Sequence, residues 1–85
     1  MKIYGVIYQY NNCSGNDFYS DNYKKALEFY QECRKKINNK EKEYLVLGYA
    51  NIPDEIFEKA EEDEKSILFY DYGYNPIYEY GNIQF

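Results

Sequence analysis

The sequence predicts an α+β domain built on one sheet of about four strands, mainly antiparallel or mixed, with its helices on one face. Three observations predict it. Two runs rich in β-branched and aromatic residues, 2–10 and 44–50, read as strands. The stretch between them repeats its apolar residues every three or four positions, the period of a helix. At 85 residues the chain suits one hydrophobic core and is short for two, so residues 1–85 read as a single domain.

Taken in order, the elements run β-α-β-α-β-β. Residues 2–10 carry apolar groups on both faces, which places that strand at the centre of a sheet. Asn11 to Asp17 is a string of turn-forming residues and reads as a loop. A helix follows, capped by Ser20 or Asp21 and closed by Asn38 and Asn39. Its buried stripe is Tyr23, Ala26, Leu27, Tyr30, Cys33 and Ile37, and Arg34 and lysines gather in its last turns, where the helix dipole favours them. Tyr44 to Ala50 is a second central strand. Pro53, the acids behind it and a staple between Ile52 and Ile56 predict a short helix with Ile56, Phe57 and Ala60 inward. Ser66 to Tyr72 reads as a third strand, Ile77 to Tyr80 as a fourth, and Ile83 to Phe85 as a short last one.

The net charge is −5, and it is concentrated. Asp54, Glu55, Glu58, Glu61, Glu62, Asp63 and Glu64 stand against two lysines between residues 54 and 65, a local sum of −5. Such a cluster repels nucleic acid and attracts basic protein surfaces. It also serves simply to solvate a helix.

The chain holds no histidine, which removes the commonest general base, the usual zinc ligand and every Ser-His or Cys-His pair. Cys13 has no cationic neighbour in sequence to lower its thiol pKa, and Cys33 falls on a buried stripe. The Asn11–Asp17 segment lacks the ligand spacing of a calcium loop and the lysine of a phosphate loop. The expectation is a protein that is not an enzyme and uses no metal or cofactor.

Thirteen tyrosines and five phenylalanines stand beside no tryptophan. As strand residues, Tyr70, Tyr72 and Tyr74 alternate with Asp71 and Gly73 and would point to one side. Tyr78 and Tyr80 do the same around Glu79, so five phenols would share a face. That face is either core cover or an interface, since tyrosine gives large contact area at low entropic cost. Base stacking is the weaker reading, because the strands lack basic residues.

In size, acidity and tyrosine content the chain resembles the small inhibitors that phages and bacteria make against nucleases and defence complexes: anti-CRISPR, anti-restriction and immunity proteins. Nine lysines to one arginine, with many asparagines, isoleucines and tyrosines, fit the AT-rich coding of a low-GC bacterium or its phage. The resemblance implies a protein-binding module acting as a nucleic-acid mimic. Its partner would be a basic protein such as a nuclease or CRISPR effector, met at Glu55, Glu58, Glu61, Glu62, Asp63, Glu64, Tyr70, Tyr72 and Tyr74. Direct nucleic-acid binding is not expected. The alternatives are a nucleotide-binding or sequestering module, with phosphate at Ser14-Gly15, and a homo-oligomeric structural subunit. No apolar run suits export or a membrane span, so a cytoplasmic location is expected.

Overall fold

The protein's structure is a computed structural model that describes residues 1–10, 13–37 and 43–81, with their side chains except those of residues 10 and 13–16. Its elements are β1 (Lys2–Tyr10), β2 (Cys13–Ser20), α1 (Tyr23–Lys36), β3 (Glu43–Asn51), α2 (Asp54–Lys59), α3 (Glu62–Asp71) and β4 (Asn75–Gly81). The strands form one sheet in the order β2-β1-β3-β4, with every neighbouring pair antiparallel. The α+β class and the four-stranded sheet stand as predicted. So does the central place of β1 and β3.

The helices, however, lie on both faces of the sheet. On one face Val6, Tyr8, Leu45 and Leu47 bury against Ala26, Tyr30 and Cys33 of α1. On the other, Ile3, Ile7, Val46 and Ala50 bury with Phe69 of α3, and Phe57 of α2 packs on the same cluster. The expectation of one covered face fails for a simple reason. Both central strands are apolar on both sides, and an uncovered side would leave a broad apolar surface in water.

Two segments differ from the sequence reading. Residues 13–20, read mostly as loop, form the edge strand β2, with Phe18 opposite Val6 and Tyr19 opposite Gly5. An edge strand is held by backbone hydrogen bonds to one neighbour, so polar side chains do not disqualify it, and a register shift between Ile7 and Gln9 absorbs the irregularity. Residues 66–71, read as strand, belong to helix α3. Glu62, Asp63 and Glu64 fill its first turn, where the helix dipole favours negative charge. Gly73, at φ 66°, follows the last turn in the left-handed conformation that ends helices. The last strand expected at 83–85 and the helix end at Asn38 and Asn39 lie outside the described residues.

The smaller readings divide. The α1 stripe is as expected, with Tyr23, Leu27 and Ile37 completing its cluster. Its cap is Asn22, whose side chain accepts from the Lys25 amide at 3.2 Å, while Ser20 Oγ accepts from the Asn22 amide. In α2, Phe57 turns inward but Ile56 is exposed. Ile52 is fully buried, and the Met1 ammonium donates to its carbonyl at 2.8 Å and pairs with Asp54 at 3.1 Å, tying the start of α2 to the sheet.

Candidate functional site

The six glutamates and aspartates singled out by sequence lie on one stretch of surface. Glu55 and Glu58 are on α2, Glu61 is the N-cap of α3, and Glu62, Asp63 and Glu64 make its first turn. All six are exposed. Only Glu62 has a cationic partner among the described residues: Lys65 Nζ lies 3.2 Å from it and also sits over the Phe57 ring at 5.0 Å. Glu55, Glu58, Glu61, Asp63 and Glu64 are unpaired among the described residues. Carboxylate oxygens of Glu61, Asp63 and Glu64 lie within 4.8 Å of one another. Like charges this close repel, so a cationic group that approaches them is favoured twice: by direct attraction and by relief of the repulsion.

Apolar side chains stand among these acids. Ile67 is 58% exposed and Tyr70 45% exposed. Asp63, Glu64, Ile67, Tyr70 and Asp71 recur at three- and four-residue spacing on α3 and share its outward face. Ile67 escaped the sequence reading because a strand pairs each residue with its second neighbour. Read with helical spacing, the same letters place it between the acids and Tyr70.

The three tyrosines expected to point one way do not. Tyr70 is on α3, Tyr72 caps it and is 41% exposed, and Tyr74 precedes β4. Tyr74 is half-buried, stacked on Phe69 with ring centroids 4.7 Å apart, and Tyr70 meets it edge-on at 5.5 Å. Tyr74 is therefore part of the core, while Tyr70 and Tyr72 remain accessible. Tyr78 and Tyr80 lie across the sheet on the α1 side, where Tyr30 meets Tyr78 and Tyr80 packs on the α1 cluster. The single five-phenol face is thus two groups, one on each side of the sheet.

Burial sets the acid–base character of the α3 side. It raises the Tyr19 and Tyr44 phenols well above the ordinary tyrosine value, helped at Tyr19 by the Asp17 carboxylate and at Tyr44 by Tyr74 and Glu79. Tyr70 is raised for the same primary reason, and so is the Asp17 carboxyl, against a hydrogen bond from Tyr19 that pulls it down. These phenols stay protonated at neutral pH; Tyr44 is buried in the core and Tyr19 donates to the Asp17 carboxylate at 3.3 Å. Cys33 is buried, and burial pushes its thiol up, the opposite of an activated nucleophile. The side chains of Cys13 and Ser14 lie outside the described residues. Among the described residues, no helix is long and apolar enough to cross a membrane.

Comparison with known proteins finds no matching family model, no matching curated protein and no matching solved structure.

Proposed function

We propose that this protein acts without catalysis, as an acidic inhibitor whose α2–α3 surface docks in the basic nucleic-acid channel of a partner such as a nuclease or CRISPR effector. The observation that carries the reading is the surface of carboxylates from Glu55 to Glu64, all but Glu62 unpaired among the described residues, around exposed Ile67 and Tyr70. Interfaces draw their energy from a few apolar or aromatic anchors, while surrounding charges steer the encounter and select the partner. Lysine and arginine side chains that grip phosphates meet here a comparable row of oxygens. Tyr72 adds contact area at the end of α3, and Tyr74 supports Tyr70 from beneath.

The test starts with capture of the partner from lysate by tagged protein and proceeds to measurement with the purified pair. Nucleic acid and this protein should compete for the partner. The variant Glu58→Gln, Glu61→Gln, Asp63→Asn, Glu64→Gln should bind about 10- to 100-fold more weakly at low salt and lose most of its salt dependence. Full affinity in that variant, or simultaneous binding of nucleic acid, would overturn the reading.

A further inference from the structure

A cleft opens on the opposite face of the sheet, between α1 and the edge strand β4. It measures about 210 Å³ and is lined by Leu27, Tyr30, Gln31, Arg34 and Tyr78. A second hollow of about 410 Å³ adjoins it, sharing Gln31 and Arg34 and adding Lys35. The parts of this cleft come from elements far apart in sequence. The strand tyrosines have no basic residue beside them in the chain, and the fold supplies one from α1.

Three features bear on what the cleft accepts. The first is its aromatic wall. Tyr78 is 47% exposed, and its ring centroid is 5.9 Å from that of Tyr30. The second is its cation. The Arg34 guanidinium lies over the Tyr80 ring, 4.6 Å from its centroid, and has no carboxylate partner among the described residues. That contact holds the guanidinium at the cleft, where its N–H groups suit recognition of a phosphate or carboxylate. The third is local charge. Lys24, Lys25, Arg34, Lys35 and Lys36 outnumber Glu28 and Glu32 on α1, and although Lys35 pairs with Glu32 at 3.2 Å, the helix carries a net positive charge in a protein whose net charge is −5.

The geometry points to a second binding site in this α1–β4 cleft, for a planar ring carrying an anionic group, the chemistry of a nucleotide. The ring stacks on Tyr78 above Leu27, the amide of Gln31 reads its edge, and the anion meets Arg34 at the entrance to the wider hollow beside Lys35. Aromatic platforms bind bases of any kind through their π faces, and a cation nearby holds the phosphate. The site goes beyond the α2–α3 reading and does not depend on it, since the sheet separates the two.

Titration of isotope-labelled protein with adenosine 5′-monophosphate, followed by amide chemical shifts, tests it. The expected result is saturable shifts clustered at Leu27, Gln31, Arg34 and Tyr78. Adenosine, which lacks the anion, and ribose 5-phosphate, which lacks the ring, should each bind about tenfold more weakly. Arg34→Gln, an exposed change that keeps most of the stem, should cost about tenfold in affinity while circular dichroism shows the fold retained. Tyr78→Phe should retain binding. The four-acid α2–α3 variant should bind the nucleotide as the wild type does. Absence of saturation at millimolar nucleotide would overturn the proposal. So would shifts that map elsewhere, or affinity that ignores Arg34 and follows the α2–α3 acids.

Discussion

Gly5 and Gly48 face each other across the β1–β3 pair, on the side of the sheet that α3 covers. Together they cut a lane through an otherwise bulky surface, and the stacked rings of Phe69 and Tyr74 lie in it. A Cβ on Gly5 would come within 2.7 Å of Phe69 Cζ and 2.9 Å of Tyr19 Cδ1; one on Gly48 would meet the Asn75 carbonyl oxygen and Tyr74 Cδ2, each at 2.8 Å. Gly5→Ala should therefore destabilise the fold by about 1–3 kcal/mol, the usual range for forcing atoms into a packed core. Urea denaturation measures this, and an unchanged midpoint would mean that the Phe69 ring is free to move aside. The two glycines are visible in the sequence as interruptions of apolar strands. Which rings fill the lane is not visible, because Phe69 is some twenty residues from Gly48 and more than sixty from Gly5, and only the fold brings them together.

Among the elements, α1 was legible almost entirely. Its stripe of Tyr23, Ala26, Leu27, Tyr30, Cys33 and Ile37 has one period and one buried face. Only the cap moved, from Ser20 or Asp21 to Asn22. Asn22→Ala removes the acceptor for the Lys25 amide and should cost about 1 kcal/mol, read as a lower thermal midpoint, with Asn22→Asp restoring most of it. Helix α3 was misread because Ile67, Leu68, Phe69 and Tyr70 run consecutively, so no stripe marks one side. The alternating tyrosines beyond them then imitate a strand. The overriding signal is the acid cluster itself, which suits the start of a helix. Strand β2 was obscured for a different reason: edge pairing leaves its trace in the backbone, and Asn11 to Asp17 carry little of it in their side chains. The candidate acids were legible one by one. Their grouping around Ile67 was not, since it depends on α3 being a helix.

At the scale of the whole molecule, the sheet is a partition with a separate core on each side. Both central strands announce this by being apolar on both faces; one-sided packing is the simplest way to bury two helix stripes, but the described residues form three helices. The tyrosines tie the two cores to alkaline pH. The ordinary tyrosine value is 10.0, and burial raises Tyr19, Tyr44, Tyr70 and Tyr30 above it. A phenol whose folded pKa is raised stabilises the fold fully below the unfolded value, and that stability drains away as pH climbs above about 10 toward the folded value. Phenolate absorbance and circular dichroism, followed together, test this. Tyr19, Tyr44 and Tyr30 should ionise only at higher pH, in step with unfolding; their ionisation without loss of structure would contradict this. The partition has an electrical consequence as well. The molecule measures 38 × 25 × 19 Å, and at physiological ionic strength a charge is screened over about 8 Å. The field of the α2–α3 carboxylates therefore fades before it reaches Arg34. An isoelectric point near 4.6 describes neither side: an approaching molecule meets an acidic surface or a basic one, according to the direction from which it comes.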